Sequence, residues 1–118
     1  MTPEQLDKVL PHPQGYQLLL AVPKADDSFG GTIIKADSTR ASEEMMTLVG
    51  MVLAVGDQAY KDPVRYPLGK PWCKVGDYIL MRAYTGQRFK IGDNEFRLIN
   101  DDAVLATVPD PKAITRVI

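Results

Sequence analysis

Short runs in which apolar and polar residues alternate recur along the chain and are separated by turn-forming residues. Proline or glycine ends most of these runs, and none shows the 3.6-residue periodicity of a helix. Short strands with frequent turns are typical of small all-β barrels and sandwiches, so the sequence predicts an all-β barrel. A Gly-Asp-Asn sequence at 92–94 predicts a hairpin with a three-residue loop. The predicted strands are 16–22, 47–56, 77–84, 87–91, 95–99 and 103–108.

The first residues of the chain carry the signals of a short helix. Thr2 is a candidate N-cap, Pro3 suits the first helical position, and Gln5 stands three residues after the cap. Two prolines at positions 11 and 13 cannot continue a helix. We therefore predict a helix of only a couple of turns at the N-terminus.

The chain has 118 residues, the size of one domain. We expect a leader at 1–14, a β-barrel at 15–108 and a proline-containing tail at 109–118. Two interruptions of the strand pattern, at 24–46 and 57–74, are longer than ordinary hairpin loops. Loops beyond about 12–15 residues are uncommon in compact domains and tend to be functional. We therefore expect the function to reside in these two segments.

Charge and composition exclude several classes of partner. The formal net charge is −1, which gives no basic surface for nucleic acid or an anionic membrane. No apolar run approaches the ~20 residues that span a bilayer. The single cysteine, Cys73, excludes an internal disulfide and suits a reducing compartment. The sequence thus predicts a cytoplasmic protein that binds neither nucleic acid nor membrane.

The sequence offers no convincing catalytic set. His12 lies between two prolines, and one histidine with one cysteine cannot supply a structural zinc site. Acidic neighbours such as Asp101 and Asp102 point to opposite faces of an extended chain, so they are poor acid/base pairs. Cys73 is either a thiol activated by Lys74 or one that simply packs in the core. We expect no catalytic residues, no metal and no cofactor, and therefore no enzyme.

Five motifs occur in the order and spacing found in the GroES co-chaperonin family, the lid of the double-ring chaperonin. Together they extend over about residues 15 to 108, and the chain resembles that family along this whole stretch. Each motif alone is weakly specific, whereas the ordered set is strong. The motifs are GYQLLLAV (15–22), GGTIIKADSTR (30–40), GMVLAVGD (50–57), KVGDYILM (74–81) and KIGDNEFRLINDDAVLATV (90–108).

This resemblance implies a ring of seven subunits that caps a GroEL-type chaperonin and encloses an unfolded client. ATP would be bound by the chaperonin, and this chain would need no cofactor. In the family, the last strand of one subunit pairs with the first strand of the next, here 104–108 against 17–22. The alternative is that the apolar side chains of these strands form only the subunit's own core. The candidate interface residues are Leu18, Leu20, Val104 and Ala106.

The segment at 24–46 resembles the family's mobile loop, which binds the chaperonin. Its polar flanks predict disorder in the free protein, and Gly30 and Gly31 would supply the turn that presents the binding residues. Ile33 and Ile34 would enter an apolar groove of the chaperonin. The alternative is that these isoleucines belong to an ordinary edge strand.

Two further residues of the mobile loop belong to the candidate binding site. Thr32 would lie alongside the isoleucines, at a position where the family carries a larger aliphatic residue. Phe29 either adds an apolar anchor or packs back on the barrel, and the sequence leaves both open.

The segment at 57–74 occupies the place of the family's roof hairpin, and we call it the roof segment. Its three prolines cannot donate to a strand ladder, so a regular hairpin along its whole length is not expected. Tyr60, Tyr66 and Trp72 would add bulk at the dome and shape the ceiling of the chamber. The alternative is an irregular loop exposed to solvent.

The leader, the tail and the long loops exceed the compact bacterial version of the family. This elaboration is similar to co-chaperonins encoded by bacteriophages, which use the host chaperonin to fold capsid protein. On that basis we expect a phage-encoded protein that acts in the host cytoplasm. A second hypothesis is a β-barrel structural or adaptor protein, such as a capsid-associated module, that uses the mobile loop for a different partner.

Overall fold

The computed structural model describes residues 2–22 and 48–114. The all-β class with a short N-terminal helix is confirmed, and within the described ranges no helix is long and apolar enough to cross a membrane. Two 3-10 turns, Asp101–Ala103 and Pro111–Ala113, accompany the strands. The other elements are α1 (Pro3–Val9), β1 (Gln17–Val22), β2 (Val49–Val55), β3 (Tyr78–Leu80), β4 (Gln87–Ile91), β5 (Asn94–Asn100) and β6 (Ala106–Thr107).

The strands form one six-stranded sheet in the order β4-β5-β1-β2-β3-β6, and every neighbouring pair is antiparallel. β1 lies inside the sheet, with β2 on one edge and β5 on the other. Its Leu18, Leu19 and Leu20 are all buried, so this strand is covered on both faces. The register between β1 and β2 shifts between Leu19 and Leu20, which indicates a β-bulge.

The helix α1 begins with the predicted cap. The Gln5 backbone N–H donates to Thr2 Oγ1 at 3.2 Å, and the Thr2 N–H donates to Gln5 Oε1 at 3.0 Å. This reciprocal pair is a capping box, with Pro3 in the first turn. The helix ends at Val9, and Leu10 follows in an extended conformation before the prolines.

The hairpin of β4 and β5 turns more tightly than predicted. Ile91 pairs with Asn94, so the loop has two residues instead of three. Gly92 has φ of 62°, and glycine at the first of two loop residues is what a tight hairpin turn of this kind requires. Behind the turn, Phe89 stacks on Phe96 with ring centroids 5.8 Å apart.

Two predicted strands are shorter in the structure. The strand expected at 77–84 ends at Leu80, because a turn closed by the Thr85 N–H and the Arg82 carbonyl follows it. The strand expected at 103–108 is reduced to β6, which follows a 3-10 turn at 101–103. The chain around β6 still follows β3 through a bond from the Leu105 N–H to the Leu80 carbonyl, 2.9 Å long.

The hydrophobic core combines the inner strands with the roof segment. Residues 57–74 contribute four buried side chains to the same cluster as β1, β2, β3 and β5. The roof segment is therefore an integral part of the domain. The cluster consists of Leu18, Leu20, Val52, Ala59, Tyr60, Tyr66, Cys73, Ile79, Met81, Ile99 and Val104.

The residues predicted to form a subunit seam occupy different environments. Leu18 and Leu20 expose no surface and Val104 exposes 5%, because they pack in the chain's own core. This is the alternative that the sequence left open. The expected pairing of β1 with a neighbour's last strand is wrong, since β2 and β5 already occupy both edges of β1. Ala106 is exposed, and its place at a seam stays a prediction.

Candidate functional site

The residues predicted to bind a chaperonin fall outside the described part of the chain. They lie between the last described residue of β1 and the first described residue after the gap, and their contacts stay predictions. These residues are Phe29, Gly30, Gly31, Thr32, Ile33 and Ile34.

The segment at 24–46 and the roof segment join the sheet at opposite ends. β1 ends at Val22 and β2 begins at Val49 on the adjacent antiparallel strand, so both attachment points of the segment at 24–46 lie at one end. β2 then runs to Val55, about 20 Å away at ~3.3 Å per residue. The roof segment follows there directly.

Successive turns, and no strand, make up the roof segment, as its prolines predict. The Tyr66 N–H donates to the Asp62 carbonyl at 2.8 Å, and the Gly69 N–H donates to the Tyr66 carbonyl at 2.9 Å. The expectation that a regular hairpin does not run along this segment is confirmed.

The three aromatic residues predicted for the roof come together in one cluster. The Tyr66 ring meets the Tyr60 ring edge-on at 5.0 Å between centroids, and it meets the Trp72 ring edge-on at 5.1 Å. Such pairs contribute about 0.5–1.5 kcal/mol each beyond the area they bury. Both tyrosines are buried, whereas Trp72 is 46% exposed. The roof segment is thus irregular in backbone but anchored, and a wholly exposed loop is excluded.

Tyr60 adopts a backbone conformation that only glycine reaches without cost. Its φ is 62°, the one positive value among the described residues other than glycine, and this region costs an ordinary residue about 1–2 kcal/mol. The Tyr60 N–H donates to Asp101 Oδ2 at 2.9 Å in a buried position. Asp101 therefore holds the bend that turns Tyr60 into the cluster.

Arg65 links the roof segment to the turn before β6. Its Nη2 lies 2.9 Å from Asp101 Oδ1 and 2.9 Å from Asp102 Oδ2, and it donates to the Tyr66 hydroxyl at 3.1 Å. The guanidinium carbon also lies 5.9 Å from the centre of the Tyr16 ring. Sequence reasoning missed this cluster, because it treated the two aspartates as neighbours in extended chain. The 3-10 turn at 101–103 lets both carboxylates reach one side.

Cys73 is a packed thiol, which was one of the two alternatives. It is buried, and its Sγ lies 3.5 Å from the Tyr60 hydroxyl. Burial raises the pKa of Cys73, an effect that the hydrogen bond with Tyr60 opposes and Asp77 reinforces. Activation by Lys74, which would lower this pKa, is wrong.

Ionisation of the buried tyrosines is expected to lower the stability of the fold at alkaline pH. Burial and, second, a hydrogen bond with Asp101 raise the pKa of Tyr66 to about 12, and burial raises that of Tyr60 further still. In the unfolded chain a tyrosine ionises near 10. Below pH ~10 the stability is therefore unaffected by these groups, and it falls as the pH rises from about 10 to about 12.

We expect the stability of Tyr66→Phe to fall less steeply with rising pH than that of the unsubstituted protein. Urea unfolding at a series of pH values between about 9 and about 12 measures it, and the slopes are compared because the substitution also changes the starting stability. Parallel slopes in the two proteins would contradict the buried, neutral state of the Tyr66 hydroxyl.

Comparisons with known proteins show which family this sequence is similar to. The family model described as "Chaperonin 10 Kd subunit" matches residues 12–108, which include every strand and both long segments. A relative is the "10 kDa heat shock protein, mitochondrial" of Schizosaccharomyces pombe, 33% identical over 84 residues that cover 65% of this chain and 79% of the relative. The chain therefore belongs to the chaperonin 10 kDa subunit family, the family of GroES-type co-chaperonins.

Proposed function

We propose that this co-chaperonin forms a seven-subunit ring that caps the folding chamber of a GroEL-type chaperonin during ATP-dependent folding. The observation that carries the proposal is the position of the two long segments at opposite ends of the sheet. One end of each subunit would bind the chaperonin rim, and the other would close the chamber above the client. ATP is bound by the chaperonin, and the lid needs no cofactor and performs no catalysis.

Binding to the chaperonin is proposed to depend on Ile33 and Ile34, with Thr32 beside them and the Gly30–Gly31 turn before them. Burying one isoleucine side chain contributes about 1.5–3 kcal/mol. Fixing a bound loop costs conformational entropy, so a single subunit binds weakly. Several loops on one ring raise the overall affinity through effective concentration. This combination supports firm capping with ready release.

The origin, client and compartment are finer parts of the proposal. The long leader, tail and loops support a phage-encoded protein whose client is a capsid protein and which acts in the host cytoplasm. The relative named above is mitochondrial, so other compartments also house this family. Fractionation of infected cells, with the protein followed by antibody, tests the compartment directly.

The main test replaces both loop isoleucines, Ile33→Asp with Ile34→Asp. We expect the double variant to lose chaperonin binding, because two charges cannot enter an apolar groove without a partner. The readouts are suppression of the chaperonin ATPase and co-sedimentation with the chaperonin in the presence of ATP. The matched control, Ile33→Leu with Ile34→Leu, keeps the apolar volume and should retain both activities.

Native mass spectrometry of the same proteins reports the ring. A seven-subunit assembly in the unsubstituted protein and in both variants would place the defect in the loop alone. If the aspartate variant still suppresses the ATPase, the loop assignment is wrong. A monomer at high concentration, with no effect on the ATPase, would favour the adaptor hypothesis.

A further inference from the structure

The roof segment presents two apolar side chains at the tips of consecutive turns. Val64 is 87% exposed within the turn that joins the Asp62 carbonyl to the Tyr66 N–H. Leu68 is 82% exposed within the turn that joins the Tyr66 carbonyl to the Gly69 N–H. Turn residues at a surface are usually polar or glycine, so two successive apolar tips are unusual.

The two turns that carry these side chains are anchored to the rest of the domain. The side chain of Tyr66, between them in sequence, is buried and meets the rings of Tyr60 and Trp72. Arg65, between Val64 and Tyr66 in sequence, is held by its carboxylate partners. Scattered exposed apolar residues are common on any protein, but here the half-exposed Trp72 belongs to the same anchored cluster. The turns that carry the tips are therefore anchored to the core through Tyr66 and Arg65.

The charge of the roof segment is opposite to that of the chain. Residues 57–74 contain four basic and two acidic residues, a net charge of +2, while the whole chain carries −1. Arg65 is paired, and Asp62 Oδ1 accepts the Val64 N–H. Among the described residues, no carboxylate lies within ion-pair distance of Lys61, Lys70 or Lys74. The three lysines therefore carry positive charge, without an ion-pair partner among the described residues, in the same segment as the apolar tips.

We propose that this roof surface, formed by Val64, Leu68, Trp72 and the lysines beside them, binds non-native polypeptide segments that carry both acidic and apolar side chains. The inference rests on the proposed function, which holds the roof segment over the enclosed client. The prolines of the segment lack N–H donors, so recognition runs through side chains and not through strand addition. The lysines attract the acidic segment, and the apolar tips and the tryptophan supply the contact.

Trp72 is the only tryptophan of the chain, so its fluorescence reports directly on this surface. The probes are two unstructured synthetic peptides with the same apolar residues, one with glutamate and the other with lysine at the polar positions. We expect the glutamate peptide to change the Trp72 emission in a saturable way. The lysine peptide should bind roughly tenfold more weakly, since close like charges oppose it.

The decisive variant is Val64→Ser with Leu68→Ser, which removes the tips from highly exposed positions and leaves the buried cluster intact. We expect roughly tenfold weaker binding of the glutamate peptide, followed by anisotropy of a label on the peptide. The matched control Val9→Ser removes an exposed valine from α1, away from the roof segment, and should bind as the unsubstituted protein does.

Four results would overturn the inference: no binding of either peptide, equal binding of both, unchanged binding by the serine variant, or preference for vesicles of anionic phospholipid. If the unsubstituted protein self-associates through this surface and the serine variant does not, the surface would instead be an interface with a second copy of this chain. Suppression of the chaperonin ATPase is measured on the same preparations. If it persists without peptide binding, only this inference fails. If it is absent from the unsubstituted protein, the proposed function fails and the inference fails with it.

Discussion

Replacing Asp101 by alanine will lower the free energy of unfolding by about 3 kcal/mol, because it removes a buried carboxylate that accepts from two donors and leaves the buried Tyr60 N–H without an acceptor. The Asp101 side chain is only 1% exposed and accepts from both Tyr60 and Arg65. Without it, the positive φ of Tyr60 has no buried bond to hold it. Urea unfolding measures the loss, and the Trp72 emission shows whether the roof cluster opens.

Asp102→Ala is the matched control for this prediction. Asp102 binds the same Arg65 nitrogen at the same 2.9 Å, but its side chain is 53% exposed. Exposed ion pairs contribute about 0–1 kcal/mol, so the control should barely change stability. Asp101→Asn keeps an oxygen acceptor and should lie between the two. Equal effects of Asp101→Ala and Asp102→Ala would show that burial of the carboxylate is not what stabilises the roof.

The elements that the sequence predicts well depend on local signals. The Thr2–Gln5 capping box fixes the start of α1, a short apolar run that ends before Pro23 locates β1, and alternating apolar residues locate the hairpin of β4 and β5. Strand ends were less predictable. The run at 77–84 looks uniformly strand-like, yet the chain leaves the sheet after Leu80, where its next bonds close a turn. Which part of an apolar run pairs depends on neighbours that are distant in sequence.

The candidate site was predictable in composition but not in arrangement. The bulky aromatics and prolines of the roof segment mark it as irregular, and the structure adds that Tyr60 and Tyr66 belong to the core. Arg65 gave no signal of its own, because its partners lie in a turn 36 residues away. The expected pairing of β1 with a neighbour's strand was wrong for a related reason: an apolar strand has the same sequence pattern whether a strand of its own sheet or another subunit covers it.

The contacts of Arg65 and Asp101 also connect the roof to the end of the chain. Asp101 opens the short turn that leads to β6, and its N–H donates to the Tyr16 carbonyl at 3.0 Å just before β1. One buried residue thus joins the roof segment through its carboxylate and the chain before β1 through its backbone N–H. β6, an edge strand of the sheet whose two residues are exposed, follows this turn.

Replacing Gly56 by alanine should be comparably severe, at about 3 kcal/mol, the upper part of the range for overpacking. Gly56 follows β2, and its N–H donates to the Gln17 carbonyl at 2.8 Å. A Cβ at this position would collide with the Gly15 carbonyl oxygen and lie 3.0 Å from the Gln17 oxygen. Both are backbone atoms that cannot swing aside as a side chain would. Urea unfolding of the purified variant measures the loss.

Gly69→Ala separates steric collision from backbone strain. Gly69 has φ of 65°, and a Cβ there would meet no atom within 4 Å. Its substitution should cost only the left-handed conformation, about 1–2 kcal/mol. Gly56 does not have a positive φ, so its larger loss would come from crowding alone. If Gly56→Ala were no worse than Gly69→Ala, the close approach of β2 to the chain before β1 would not be needed for stability. The roof segment would then depend on Asp101 and the aromatic cluster for its position, and not on this contact.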